Sequence, residues 1–215
     1  TEILKNDLEK MKINNVEVLS NFRKVKKFKN TYVKTNKTKF VYYGRVIKEK
    51  GIEEAIRLVN RLNNEGLNCS FDIYGQCKEE YYNKIKKYFN ENIQYHGEIK
   101  PNNKIEYEIL SKYDIFLFPT EYSGECLPGA LIDCYISGLA VIASNWKYAK
   151  EYIINNKNGK IFEYMNYEDM YMKTKEMINE HCIEQYKRKS KELSEKYLIE
   201  NLLNDFSNQI ARREK

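Results

Sequence analysis

The sequence predicts an α/β fold: a Rossmann-like, doubly wound parallel sheet with helices on both faces. Short apolar segments alternate with amphipathic or polar helical segments along most of the chain, which is the pattern of strand–helix–strand units. The segment Asp114-Ile-Phe-Leu-Phe118 is an apolar run stopped by Pro119, as expected of a parallel strand buried on both faces. In such folds, ligands bind beyond the carboxyl ends of the strands.

The first half of the chain contains four predicted strands, and three of them end at a glycine: Gly44, Gly75 and Gly97. Apolar and β-branched runs mark the strands, and amphipathic or polar runs mark the helices. The predicted order is helix 3–11, strand 16–19, strand 39–43, helix 52–62, strand 69–74, helix 78–90, strand 93–97 and helix 104–110. Because parallel strands end at one edge of the sheet, we expect the three glycine turns to lie along one rim.

The second half is organised around a strand–loop–helix–strand unit that begins with the strand at 114–118. The helix is predicted from apolar residues at helical spacing: Leu127, Ala130, Leu131, Cys134 and Tyr135. Pro128 suits its first turn, and Gly138 suits the left-handed position that closes a helix. Strands at 139–143 and 160–162 follow. Two or three helices then fill 166–213, and the chain ends in a charged tail at 212–215.

Composition indicates one globular domain over residues 1–215, with a core at about 14–180 and C-terminal helices at about 181–215. The chain has 215 residues and is 42% hydrophobic and 32% charged, enough for a substantial core. No apolar run approaches the length of a membrane span or resembles a signal peptide. The five cysteines have no paired spacing and only two histidines accompany them, so we expect no disulfide framework, no metal site and a cytoplasmic location.

Residues 23–39, called here the basic segment, hold eight Lys or Arg and no acid. Such a run can attract phosphates, an anionic membrane surface or nucleic acid. A solvated basic loop is the simpler interpretation. Nucleic acid is not expected, because the segment lacks the interleaved aromatic platform on which bases stack.

A candidate phosphate site follows the strand at 39–43. The chain contains no G-x-G-x-x-G after this strand and no Walker A sequence. Instead, Gly44-Arg45 and Lys50-Gly51 place a guanidinium and an ammonium on one loop before a helix, a suitable pair for a diphosphate. The alternative is that Arg45 or Lys50 forms surface pairs with Glu49, Glu53 or Glu54.

Two acids bracket the predicted helix that begins near Leu127. Glu125 precedes it, and Asp133 leans toward position 129, which is Gly and offers no side chain to block it. Carboxylates near a helix N-terminus suit hydrogen bonds to a polyhydroxy ligand that also carries phosphate. On spacing alone, it is equally plausible that Glu125 complements the helix dipole and that Asp133 is a solvated flank residue.

These residues resemble the family 4 (group 1) glycosyltransferases of GT-B architecture. Gly44-Arg45 through Lys50-Gly51 is similar to their G-R-x-x-x-x-K-G loop. Glu125 through Asp133, followed by Gly138-Leu-Ala-Val-Ile-Ala-Ser144, is similar to their glutamate–seven residues–glutamate motif and the strand after it. The resemblance covers about residues 14–180. In this chain Asp133 replaces the second glutamate, and Ala140 replaces a proline.

The resemblance implies a role for each motif residue. Arg45 and Lys50, with Gly44, would hold the diphosphate of a UDP- or GDP-sugar donor, and Glu125 would contact the transferred sugar. Asp133 would contact the ribose, and the backbone around Leu127, Pro128 and Gly129 would help to bind phosphate. The turns at Gly75 and Gly97 would frame the base. The implied catalytic residues are Glu125, Arg45 and Lys50, with no metal and no further cofactor.

The implied reaction is the transfer of a hexose to a hydroxyl acceptor with retention at the anomeric carbon. The family has two Rossmann-like domains, and the resemblance implies that these motifs belong to the C-terminal one. We therefore expect the N-terminal acceptor domain to be absent from these 215 residues, and this chain alone not to transfer sugar. Surface-polysaccharide synthesis at the inner membrane face is a plausible setting, with peripheral contact to anionic lipid. The alternatives are a non-catalytic nucleotide or sugar-phosphate binding module, and a membrane or nucleic-acid binder acting through the basic segment.

Overall fold

The sheet has six strands, all parallel, in a computed structural model that describes residues 1–203. The strands are β1 (Thr38–Tyr43), β2 (Cys69–Tyr74), β3 (Ile93–Tyr95), β4 (Ile115–Phe118), β5 (Ala140–Ser144) and β6 (Gly159–Phe162). Their order in the sheet is β3-β2-β1-β4-β5-β6, so the direction of winding reverses between β1 and β4. This arrangement confirms the predicted doubly wound fold. In folds of this type, the ligand crevice lies beyond the carboxyl ends of the strands where the winding reverses, here β1 and β4.

Helices flank the sheet in two groups. The helices are α1 (Glu2–Lys10), α2 (Ile52–Asn64), α3 (Glu79–Ile85), α4 (Ile105–Leu110), α5 (Gly129–Ser137), α6 (Ala149–Tyr152), α7 (Tyr167–Asn179) and α8 (Ile183–Ser194). Helices α2 and α7 contact each other, whereas α5 contacts both α4 and α8. Among the described helices, none has the length and apolar character needed to cross a bilayer.

The core is centred on β4 and β5, in which every residue is buried. Their side chains pack against the apolar face of α5, where Leu131, Cys134 and Tyr135 are 0% exposed. Burying a side chain of this size contributes roughly 1.5–3 kcal/mol relative to leaving it in water. Gly138 ends α5 at φ 74°, the left-handed conformation predicted for it.

The structure corrects several predicted elements. Residues 16–19 are not a strand, because they pair with no strand in the described chain, and Leu19 is 61% exposed. Helix α3 is shorter than the predicted 78–90 and ends in a 3-10 turn at Lys86–Tyr88. The four-residue helix α6 was not predicted. The predicted helical residues 204–213 and the charged tail 212–215 lie outside the described residues.

The basic segment is held against the body of the fold rather than extending into solvent. The Arg23 amide donates to the Tyr197 carbonyl at 2.8 Å, and the Ile199 amide donates to the Arg23 carbonyl at 3.0 Å. Further along, the Tyr32 hydroxyl lies 2.7 Å from Oδ1 of Asp114, just before β4. The chain is thus fixed at both ends of its passage beside α5 and β4.

Lys187 of α8 lies beneath this part of the basic segment, and the pH dependence of stability can test how it is packed. Its ammonium donates to the Tyr113 carbonyl at 3.0 Å, and burial lowers its pKa from the ordinary value of 10.5 to about 8. Between these two values the unfolded chain holds the proton and the folded chain does not, so the contribution of Lys187 to the free energy of unfolding rises with pH. Each unit of pKa difference is worth about 1.4 kcal/mol.

We therefore expect the wild-type chain to gain stability relative to Lys187→Met as the pH rises from about 8 to about 10. Urea unfolding of both proteins across this range measures the difference. A difference that stays constant with pH would mean that Lys187 titrates like an exposed lysine.

Candidate functional site

The three predicted glycine turns lie side by side at the carboxyl edge of the sheet. The Gly75 amide donates to the Gly97 carbonyl at 2.8 Å. Gly75 has φ 141°, and a Cβ atom placed on it would lie 1.7 Å from the carbonyl oxygen of Gly44. Only a residue without a side chain fits this close approach of two backbones. The turns after β1, β2 and β3 therefore form one continuous rim, as the sequence predicts.

The loop after β1 crosses to the end of β4. Gly51 adopts φ 69°, and a Cβ atom on it would lie 2.1 Å from the carbonyl oxygen of Pro119. The Glu121 amide donates to the Glu49 carbonyl at 2.8 Å. These contacts hold residues 44–51 across the point where the winding of the sheet reverses. This is the position at which folds of this type bind ligands.

Arg45 occupies this loop as an exposed residue, and its guanidinium makes no hydrogen bond or ion pair with any residue in 1–203. Its main chain is fixed, because the Tyr42 hydroxyl donates to the Arg45 carbonyl at 2.8 Å. The suggested surface pairs are not formed, since Glu53 and Glu54 pair with Arg57 instead. A guanidinium with all its donors available can clamp two oxygens of a phosphate group.

Lys50 and Glu125 form a buried ion pair, although 75 residues separate them in sequence. Lys50 is 6% exposed and Glu125 is 8% exposed. The ammonium lies 4.9 Å from the ring centre of Tyr122, and the Thr120 hydroxyl donates to Oε2 of Glu125 at 3.2 Å. Losing one partner of a buried pair typically costs about 3–5 kcal/mol. This ion pair brings Lys50 and Glu125, two predicted site residues, together at the crevice.

Asp133 is also buried and paired, which corrects the expectation that the space above Gly129 is open. Its carboxylate accepts a fork of two hydrogen bonds from Arg23, from Nε at 2.6 Å and from Nη2 at 3.0 Å. A Cβ atom on Gly129 would lie 2.5 Å from the same Nη2, so the guanidinium fills that space. Burial raises the pKa of Asp133 above its usual value, and the hydrogen bonds from Arg23 oppose this rise.

The start of α5 lies against the Arg23 guanidinium and follows Glu125 in the chain. Pro128 precedes the first helical residue, and no described side chain caps the helix. Two side chains hold the loop before α5 through hydrogen bonds to its carbonyl groups. The Asn21 side chain donates to the Leu127 carbonyl at 2.9 Å, and the Trp146 indole donates to the Cys126 carbonyl at 3.2 Å. The first N–H groups of a helix have no partners within it and favour an anion.

Two contributors to this site were not identified in the sequence. Arg23 lies in the basic segment and Thr120 follows Pro119, and no sequence motif marks either of them as a site residue. Within residues 1–203, no cluster of three or more His, Cys, Asp or Glu is arranged to hold a metal ion. All five cysteines are free. The polar groups at the crevice are thus the unpaired guanidinium of Arg45, the Lys50–Glu125 ion pair and the Arg23–Asp133 ion pair.

The chain is similar to known glycosyltransferases over most of its length. The family model described as glycosyl transferases group 1 matches residues 23–199. A capsular polysaccharide biosynthesis glycosyltransferase, CapH of Staphylococcus aureus, is 33% identical over 128 residues, which are 57% of this chain and 34% of CapH. A poly(ribitol-phosphate) alpha-N-acetylglucosaminyltransferase of Staphylococcus aureus (strain COL) is 25% identical over 206 residues, which are 94% of this chain and 40% of that protein.

A solved structure shows the same fold. The crystal structure of a mutant of S. aureus TarM, in complex with fondaparinux, alpha-GlcNAc-glycerol and UDP, has a TM-score of 0.77 and 24% identity to this chain. The match covers 97% of this chain and 42% of TarM. This chain therefore spans about two fifths or less of the length of these relatives.

Proposed function

Because this chain belongs to the group 1 glycosyl transferases, we propose that it is the donor-binding half of a retaining hexosyltransferase that uses a UDP- or GDP-sugar. The observation that carries this proposal is the arrangement at the crevice between β1 and β4. There the free guanidinium of Arg45 lies on the same loop as the buried Lys50–Glu125 pair. Two cations and an acceptor carboxylate match a ligand that joins a diphosphate to a sugar.

Each group has a distinct role in this proposal. Arg45 and Lys50 bind the diphosphate and, with the start of α5, stabilise the charge that grows on it as it leaves. Glu125 accepts hydrogen bonds from hydroxyls of the transferred sugar. Leu127, Pro128 and Gly129 place backbone groups beside the phosphate, and the turns at Gly44, Gly75 and Gly97 support the nucleoside.

The proposed transfer forms a bond between the acceptor oxygen and the anomeric carbon and breaks the bond from that carbon to the β-phosphate oxygen. The acceptor hydroxyl proton passes to the leaving phosphate oxygen, and the new bond forms on the same face of the sugar. The acceptor is held by a second domain outside these 215 residues. The relatives that span more than twice this length, and the UDP bound by TarM, support this division. The chain alone is then expected to bind donor and not to transfer sugar.

We further propose that the protein acts in surface-polysaccharide synthesis on the cytoplasmic side of the membrane, in line with the names of the two relatives. Several lysines of the basic segment are exposed and face solvent: Lys24, Lys26, Lys27, Lys29 and Lys34. They would give weak attraction to anionic lipid. The amount of protein that sediments with anionic vesicles should fall as the salt concentration rises. Vesicle binding that does not depend on the salt concentration would contradict this part of the proposal.

Titration calorimetry with UDP and GDP tests the donor site. We expect saturable binding of one nucleotide, with the matching nucleotide sugar bound more tightly than the bare nucleotide. Glu125→Gln should remove that preference, because an amide accepts hydrogen bonds from sugar hydroxyls less strongly than a carboxylate. Glu91→Gln is the control, because Glu91 is exposed and precedes β3 at the opposite edge of the sheet. Absence of binding to either nucleotide at millimolar concentration would overturn the proposal.

A further inference from the structure

Resting on the proposed donor site, we propose that Arg23 contacts the bound donor as a third cation, and that Asp133 acts as the positioning residue that holds Arg23 in place. The ligand group would be an oxygen acceptor of the ribose or of the diphosphate. The site then recognises this part of the donor through a guanidinium, where the resemblance alone implies a carboxylate.

The first observation is the position of the guanidinium. It lies directly over Gly129, in the first turn of α5, and fills the space that the missing side chain leaves. The Arg23 side chain is 29% exposed, whereas the Asp133 side chain is 8% exposed. A ligand approaching the first turn of α5 therefore meets Arg23 before it can meet Asp133.

The second observation is that Arg23 is fixed at its main chain and at its side chain. Its amide and carbonyl are bonded to Tyr197 and Ile199, and the fork to Asp133 sets the plane of the guanidinium. Nη1 donates to the Phe22 carbonyl at 3.0 Å. These bonds use three of the five N–H donors of an arginine, so two remain for a ligand.

The third observation concerns the cost of moving Arg23 away. Among the described residues, Asp133 has no other charged partner; the nearest further donor is the Tyr107 hydroxyl, 3.4 Å from Oδ1. Displacing Arg23 would leave a buried carboxylate without a counter-charge, which is strongly destabilising. Two neutral ribose hydroxyls could donate hydrogen bonds to the carboxylate, but they would bring no counter-charge to it. Asp133, one methylene shorter than glutamate, leaves the room that the guanidinium occupies.

A set of isosteric variants tests the inference by calorimetry with UDP and GDP on this chain. Arg23→Gln removes the cation, Asp133→Asn releases it, and the double variant replaces the ion pair by a neutral pair without leaving a buried charge. Arg23→Lys keeps the charge but loses the fork. Thermal melting without ligand checks that each variant is folded, and Lys24→Gln, the exposed neighbour, is the control.

We expect Arg23→Gln and the double variant to bind the nucleotide at least about tenfold more weakly than wild type. Arg23→Lys and Asp133→Asn should lose less nucleotide affinity than these two variants. Comparing UDP with 2′-deoxy-UDP narrows down the contact: an Arg23→Gln penalty found only with UDP assigns it to the 2′-hydroxyl of the ribose, and an equal penalty for both ligands assigns it to another oxygen of the ribose or to the diphosphate.

Wild-type affinity in Arg23→Gln or in the double variant would overturn the inference, and tighter binding in Arg23→Gln would show that Arg23 blocks Asp133 instead. The proposed function is judged separately. If wild type binds and Arg45→Ala does not, the donor site stands whatever Arg23 does, whereas failure of the wild-type chain to bind overturns both.

Discussion

Replacing Arg45 by alanine is expected to weaken nucleotide diphosphate binding by at least about a hundredfold. The Arg45 guanidinium has no partner within the described residues, so every donor it carries is available to phosphate. A hydrogen bond to a charged group contributes about 1.5–3 kcal/mol, and a bidentate clamp makes two. Each 1.4 kcal/mol is a factor of about ten in affinity. Titration calorimetry with UDP and GDP measures the loss.

The same lack of partners within residues 1–203 makes Arg45→Ala a clean test. Since the exposed side chain breaks no hydrogen bond or ion pair there when it is removed, the free energy of unfolding should change by no more than about 0.5 kcal/mol. Lys48→Ala is the matched control, because Lys48 is an exposed cation on the same loop. If Lys48→Ala weakens binding as much as Arg45→Ala, the loop attracts phosphate by general charge, and Arg45 is not a specific clamp.

Replacing Gly75 by alanine should have the largest effect on stability. The added Cβ atom would lie 1.7 Å from the Gly44 carbonyl oxygen, and φ is 141° at this residue. Because the atoms that the Cβ would meet are backbone atoms of Gly44 in the adjoining turn, these two turns must separate to make room. We expect a loss of more than about 4 kcal/mol and a fall in melting temperature of about 10 °C or more.

Gly97→Ala is the matched control for that experiment. Gly97 also has a positive φ, 75°, but a Cβ atom on it would meet no described atom within 4 Å. Gly97→Ala should lower the free energy of unfolding only by the strain of placing alanine in a left-handed conformation, about 1–2 kcal/mol. Equal losses in Gly75→Ala and Gly97→Ala would mean that backbone conformation, rather than the contact between the two turns, determines the stability of the rim.

Most of the fold could be predicted because most of its strands are marked by local sequence patterns. The continuous apolar run at 115–118 and the glycines at 44, 75 and 97 mark buried parallel strands without reference to the rest of the chain. Residues 16–19 carry a similar local signal and yet form no strand. A strand needs a neighbour to pair with, and the described sheet offers none to this segment.

Lys50, Glu125 and Asp133 could be selected one by one as candidates from the sequence, but their partners, and the contributions of Arg23 and Thr120, could not. Lys50 meets Glu125 only because β1 and β4 are neighbours, and the sequence does not give strand order. Arg23 and Asp133 are 110 residues apart. The glycine at 129 indicated an open space there, but nothing local showed that a cation from the basic segment would fill it.

The position of the site between β1 and β4 has a kinetic consequence. Strands β1 to β3 pair with their neighbours in chain order, and so do β4 to β6, but the pairing of Phe40 with Ile115 closes a long loop. Closing long loops is slow, so the two halves of the sheet should form first and join last. Arg45 and Lys50 belong to one half, and Glu125 and Asp133 to the other. The pocket therefore does not exist until folding is nearly complete, and a bound nucleotide should slow unfolding without speeding folding.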